Sequence, residues 1–343
     1  MARGKKRFGL PALVLIASLL VSLALAETIA RRFSPTFARL HGAPQPFVRP
    51  HPERNWELIP GYVGDPSWGA TLRINALGLR GPEFPLAKPP GVARILMLGD
   101  SIVMGSGLSE GVLVDRKLEA ELRRLRPDLR LQAINGGVAG YGVREERLFL
   151  EQQGLPLRPD AVVLVTCWND VPGVSPGEVV NPRRDLPIPG KDWLCAHSAL
   201  ALMIRSLYEG LGLESGRFAA LEADRHPATR ARLEAGWRQY EAELAAMAAD
   251  CRGHGALFLI AAAPHAAQFV DARRRFEPQQ RLAAWTAGQG IPFIDLAPAF
   301  AAEPRLPYVF PDPIHLNPRG HELMAEVIAP RLAPLLPAHT EAK

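Results

Sequence analysis

The chain has 343 residues, 48% of them hydrophobic, with 33 prolines and 30 glycines. That length and apolar content support a large buried core and exclude a disordered or low-complexity chain. The formal charge of +5 sits at the start: residues 1–32 hold Arg3, Lys5, Lys6, Arg7, Arg31 and Arg32 against Glu27, which leaves 34 basic and 34 acidic residues beyond them, so no nucleic-acid partner is expected.

The first predicted element is apolar. Phe8 to Ala26 runs 19 residues without a charge behind the basic cluster. At about 1.5 Å per residue a helix of that length just spans a hydrocarbon core about 30 Å thick. The basic flank should remain cytoplasmic and place the rest of the chain outside, in the periplasm, on a single-pass helix. Ala24-Leu25-Ala26 also resembles a signal-peptidase site, so a secreted, cleaved form is the competing expectation. Residues 1–32 are thus read as cytoplasmic start and anchor or signal. Residues 33–92, rich in Pro, Gly and polar residues, are read as a stalk and lead-in strands.

From residue 93 short apolar runs alternate with helical periodicity. Arg94 to Leu98 reads as a buried strand ending at Gly99, and Lys117 to Leu125 as a helix with Leu118, Leu122 and Leu125 on one face. Leu129 to Ile134 is a strand ending at Asn135-Gly136-Gly137, Val143 to Gln153 a helix, and Ala161 to Thr166 a strand ending at Trp168-Asn169-Asp170. The alternation breaks over 171–226, read as an insertion with a Pro-rich start. There, Trp193 and the apolar face of Ala199, Leu202 and Leu207 are expected to wall the cleft. Helices at Arg230–Ala249, Gln279–Ala287 and Gly320–Ile328, the last stopped by Pro330, alternate with strands at Ala256–Ala262 and Pro292–Ile294. Strands alternating with helices predict a parallel sheet covered on both faces, with ligands beyond the carboxyl ends of the strands. The domain is bounded at 93–335, followed by a tail at 336–343.

The residues with chemical potential collect at those strand ends. Ser101, in Gly99-Asp100-Ser101, follows the first core strand, where the amides of a helix start can stabilise negative charge. Asp312 and His315, three apart in Asp312-Pro313-Ile314-His315, allow a carboxylate to orient an imidazole whose other nitrogen serves as base. A serine hydroxyl needs such a base to become a nucleophile. Gly140 follows the second strand and Asn169 the third; a glycine amide and an Asn side chain are suitable oxyanion donors, together with the amide of Ser101. Singly, each of these residues reads equally as a cap or a turn. Their shared edge gives them meaning.

Gly99-Asp100-Ser101, Gly140, Asn169 and Asp312-x-x-His315 resemble, in the same chain order, the four blocks of the SGNH/GDSL hydrolases. The resemblance covers residues 93–335. It implies a flavodoxin-like three-layer α/β/α sandwich, with Ser101 attacking, His315 as base and acid, Asp312 orienting it, and Ser101, Gly140 and Asn169 forming the oxyanion hole. Asn75-Ala-Leu-Gly78-Leu-Arg80-Gly81 looks like the lead-in of membrane-anchored bacterial members. One departure stands out: Cys167 occupies the position where the third block of the family has Gly. The implied activity is a serine esterase cleaving an O-acyl ester without a cofactor or metal, on a small molecule, lipid or surface glycan. Transfer of the acyl group to a cell-surface glycan and a non-catalytic binding role are the alternatives.

Trp168 and His265, both at strand ends, are candidate substrate-lining residues. Ser101 lacks a Gly-x-Ser-x-Gly elbow, which disfavours the α/β-hydrolase arrangement. His321-Glu322 lacks the second histidine of a zincin, since residue 325 is Ala. Of the three cysteines, Cys195 and Cys251 are a conceivable disulfide and Cys167 reads as a buried thiol.

Overall fold

The computed structural model describes residues 10–33, 46–66, 70–171, 194, 197–201, 203–204, 227–269, 276–311 and 314–337. Two compact units emerge, one from Met1–Gln45 with Arg183–Ser215, the other from Pro46–Pro182 with Gly216–Lys343.

The first unit is built on helix α1 (Leu10–Phe33). Its stretch Leu13–Arg32 has a mean hydropathy of 2.3 and is long and apolar enough to cross a membrane. Leu13, Leu15, Val21 and Leu25 all point outward. The helix runs unbroken through Ala24-Leu25-Ala26. Near its end, Glu27 accepts hydrogen bonds from Ser198 Oγ at 2.7 Å and from the amides of Ala199 and Leu200, each at 3.0 Å. Residues 199–201 are helical, so this carboxylate satisfies amides that a helix start leaves open. Arg31 donates to the His197 carbonyl at 2.6 Å, and Ala199 packs against Ala30. The methyl group of Ala199, one residue of the expected wall, is buried in this helix contact. Trp193, Leu202 and Leu207, the rest of the expected wall, lie outside the described residues.

The second unit begins with two antiparallel hairpins, β1 (Val48–His51) with β2 (Asn55–Leu58) and β3 (Val63–Gly64) with β4 (Leu72–Arg73). Then come β5 (Val92–Gly99), α2 (Ser101–Met104), α3 (Val114–Leu125), β6 (Arg130–Gly137), α4 (Val143–Phe149) and β7 (Ala161–Thr166). They are followed by α5 (Pro227–Gly253), β8 (Leu257–Ala262), α6 (Glu277–Gln289), β9 (Phe293–Asp295) and α7 (Pro318–Leu332). The five strands β5 to β9 form one parallel sheet in the order β6-β5-β7-β8-β9. That is the flavodoxin-type order, with its switch between β5 and β7.

Side-chain alternation explains the layers. Ile95, Met97, Val163, Val165, Leu259 and Ala261 face a core shared with α3 and α7. Their neighbours Leu96, Leu98, Val162, Leu164, Phe258 and Ile260 face a second core with α4, α5 and α6. Both faces are therefore dry, which is why these strands read as continuous apolar runs rather than alternating ones. Each such buried Leu, Ile or Val contributes roughly 1.5–3 kcal/mol relative to exposure. The hairpins add Phe47, Leu58, Leu72, Ile74 and Leu79 to the second core, so the lead-in is part of the packed unit.

Two of the boundaries that differ from expectation have a clear local cause. Helix α7 continues past Pro330 to Leu332. Near a C-terminus the missing N–H costs a single bond, and the Ala333 amide still reaches the Ala329 carbonyl. Strand β6 continues through Asn135-Gly136-Gly137, because those glycines are needed in the sheet. A Cβ on Gly137 would lie 2.2 Å from the Met104 amide nitrogen.

Candidate active site

Strand β5 delivers Gly99 to the carboxyl edge of the sheet, and the chain turns into α2 at once. The Asp100 carboxylate caps that turn by accepting from the Ile102 amide at 2.8 Å. Four residues of helix cannot sustain themselves, since nucleation is unfavourable. The turn is held from outside: Gly137 lets β6 approach its backbone, and Asn135 donates to the Val103 carbonyl at 2.8 Å.

Ser101, at the first position of α2, is half-buried. Its Oγ lies 2.9 Å from His315 Nε2. His315 arrives from the other end of the chain, just before α7, whose start is fixed by Asn317 accepting from the Gly320 amide at 3.1 Å. A hydroxyl this close to an imidazole nitrogen can pass its proton to it as it attacks. Asp312 lies outside the described residues.

Gly140 adopts φ +78°, which a non-glycine residue would resist, and a Cβ there would meet the Trp56 ring at 2.9 Å. The lead-in holds this loop in place. Trp56 Nε1 donates to the Ala139 carbonyl at 3.1 Å, and the Tyr141 hydroxyl donates to the Trp56 carbonyl at 2.6 Å. Asn169 sits in the short turn Trp168–Asp170 beyond β7; its side chain lies outside the description. Trp168 lines a narrow cavity of about 10 Å³ with Cys167, Trp237, Tyr240 and Leu282. That volume holds no more than one water. His265 is buried at 2% exposure, and its amide donates to Gln268 Oε1 at 2.9 Å.

Beneath the turn lies a group of buried acids. Asp170 accepts from Thr166 Oγ1 and from the Cys167 amide, each at 2.8 Å. Thr166 also hydrogen-bonds the Tyr240 hydroxyl. Cys167 Sγ sits 3.7 Å from Asp100 Oδ2 and 3.9 Å from Asp170 Oδ1. Glu146, on the inner face of α4, is fully buried, and among the described residues neither carboxylate oxygen has a hydrogen-bond partner. Burial first, then the neighbouring carboxylates, push Glu146 and Asp170 far above the usual carboxylate range. Burial likewise pushes the Cys167 thiol up, so Cys167 fills space and is no thiolate. Oxygen and sulfur atoms of Asp100, Cys167 and Asp170 lie within 4.8 Å of one another. Cys251, the other thiol in the described residues, is free and buried, its pKa raised to about 12 by burial. Cys195 lies outside them.

Glu146 was legible in principle: it falls between Val143 and Leu150 at helical spacing, on the face that packs inward. His321, one turn into α7, is fully buried, and its Nδ1 accepts from the Val114 amide at 3.0 Å. Burial, and then the charge of Arg80, lower its pKa to about 3, so it stays neutral.

The profile of the GDSL-like lipase/acylhydrolase family matches residues 97–323. No curated protein matches the chain. Among solved structures, the acetylxylan esterase Axe2 from Geobacillus stearothermophilus is 14% identical with a TM-score of 0.43, over 70% of this chain and 94% of that one. TesA is 17% identical with a TM-score of 0.42, over 71% and 99%. LAE5, an enzyme from the metagenome of Lake Arreo, is 16% identical with a TM-score of 0.42, over 71% and 96%.

Proposed function

The chain belongs to the GDSL-like lipase/acylhydrolase family, and on that premise we propose that it is a serine esterase that cleaves a carboxylic O-acyl ester through an acyl-serine intermediate. The observation that carries this reading is the 2.9 Å approach of His315 Nε2 to Ser101 Oγ at the carboxyl edge of the sheet. In the first half-reaction Ser101 Oγ attacks the ester carbonyl while His315 takes its proton. The oxyanion forms against the Ser101 amide, with Gly140 and Asn169 as the further donors. His315 returns the proton to the departing alcohol, and Ser101 keeps the acyl group. Water, deprotonated by His315, then attacks the acyl carbonyl; the bond to Ser101 Oγ breaks, His315 returns the proton to that oxygen, and the acid leaves. Asp312 is assigned the role of holding His315 in the tautomer that accepts at Nε2.

The apolar helix α1 is read as an uncleaved anchor that keeps the catalytic unit outside the cytoplasmic membrane. Its unbroken course through Ala24-Leu25-Ala26 and the engagement of Glu27 support that reading.

The test uses Ser101→Ala and His315→Ala against a short aryl ester and a fluorophosphonate probe. Each variant should remain folded and lose turnover by at least about 10³-fold, and the double variant should lose little more than either single one. Ser101→Ala should also lose labelling. Retained hydrolysis by folded Ser101→Ala would overturn the assignment.

A further inference from the structure

Arg80 is almost fully buried, at 3% exposure, and among the described residues it forms no salt bridge. Among the described residues its guanidinium donates only to main-chain carbonyls of one turn: Nη1 donates to those of Met104 and Gly105, the latter at 2.6 Å, and Nη2 donates to that of Leu108. The carbonyls of Met104 and Leu108 lie where the helix end and the loop behind it run short of amide partners, while that of Gly105 also accepts from the Leu108 amide at 3.0 Å. Arg80 itself is fixed by the sheet, since its backbone bridges to Ile74 on one side and to Asn135 on the other. Asn135 in turn supplies the donor for the Val103 carbonyl. A charge buried this deeply costs several kcal/mol; three acceptors of a single turn offset part of that cost, and Nε finds no hydrogen-bond partner among the described residues.

We propose that Arg80 is a positioning residue for Ser101, acting through the backbone of the turn Ser101–Leu108 rather than by touching substrate. The proposal rests on the reading of Ser101 as nucleophile. The turn has two ends. Asp100 fixes the front by binding the Ile102 amide. Arg80 fixes the back, and with it the direction in which the Ser101 amide and Oγ face the oxyanion position and His315. A planar guanidinium suits this task, because its fork can reach carbonyls on two sides at fixed angles where an ammonium cannot. Released at the back, the turn would drift, and a misplacement of about 1 Å costs on the order of 10²-fold in rate. Binding of a small ester, which depends on the pocket more than on this angle, should change little.

Two measurements test this. In the unaltered protein, hydrogen exchange should find the amides of Met104, Gly105, Ser106 and Leu108, bonded to Asp100, Ser101, Ser101 and Gly105 carbonyls, as slow as those of β5. Exchange at the rate of an exposed loop would overturn the proposal, whether or not any variant folds and whether or not the protein is an esterase. In the second, Arg80→Lys and Arg80→Gln are compared with wild type at a temperature where each is folded. The expected result is kcat and the Ser101 phosphonate-labelling rate falling in parallel, about 10-fold for Lys and about 10²-fold for Gln, with KM within twofold. Folded variants that melt earlier yet keep wild-type kcat and labelling would show Arg80 to be a stability residue only, and the proposal would fail. A wild-type protein that neither turns over ester nor labels would remove the esterase reading, while the exchange result would still decide whether the turn is clamped.

Discussion

Ser101 and His315 stand 214 positions apart in the chain and 2.9 Å apart in space. Their meeting was legible because a serine at a strand end and a histidine in a late loop fall on one sheet edge. Charges that do their work beneath that edge left a fainter trace. Glu146 and Arg80 look like any surface charge until their phase on α4 and in the lead-in is known. Their burial has measurable consequences. His321 keeps a folded pKa of about 3 against 6.5 unfolded, so the unfolded chain binds the extra proton between those values. Its stabilisation is complete above pH 6.5 and is lost as pH falls toward 3, at about 1.4 kcal/mol for each pH unit crossed. In urea titrations His321→Gln should therefore show a shallower loss of stability from pH 6.5 to 4 than wild type. Glu146 has the opposite sign. Its folded pKa is raised, so its contribution is present below about 4.5 and is lost as pH rises through the folded value. Glu146→Gln, of the same size and without a proton to lose, should be more stable than wild type at pH 8 to 9 and gain nothing at pH 4. A Gln variant with the wild-type alkaline slope would show that the acid is not held neutral there.

At the level of elements, periodicity located every strand of the sheet, and two of the element ends it missed are instructive. Helix α7 passes through Pro330, and β6 passes through two glycines. Both errors have one cause: residues that usually end an element were retained inside it by a neighbour. Gly137 illustrates the cost of ignoring that neighbour. A methyl group there would enter the backbone of the Ser101 turn. Gly137→Ala is expected to destabilise the fold by at least about 2 kcal/mol, as overpacking does, and to lower Ser101 labelling in whatever remains folded. A variant with wild-type melting and wild-type labelling would mean that β6 and α2 do not press together. The insertion was harder to read, because a break in periodicity says where regular structure lapses and nothing about what the segment touches. The contact of Ala199 with Ala30 joins positions far apart in sequence, and neither residue carries a signal of it.

On the scale of the whole molecule, the parallel sheet and its two covered faces followed from apolar strands alternating with helices. The division into two compact units did not, since the first is assembled from both sides of residue 46. If α1 is an uncleaved anchor, protease added to spheroplasts should digest the catalytic unit, the protein should sediment with membranes, and the mature chain should begin before residue 10. A mature terminus at Glu27 would show cleavage instead. The lead-in hairpins have a bearing on how such a protein can be inherited. The recognisable blocks begin at Gly99, so a gene fusion or an engineered boundary drawn just ahead of β5 would carry every one of them across. It would leave behind Trp56, which steadies the loop of Gly140, and Arg80, which reaches the carbonyls of Met104, Gly105 and Leu108. The recipient would possess the vocabulary of the reaction without its syntax. Lineages that shuffled this module should therefore have moved it with its hairpins attached, and the smallest piece that can be handed on intact starts near residue 46 rather than at the first motif.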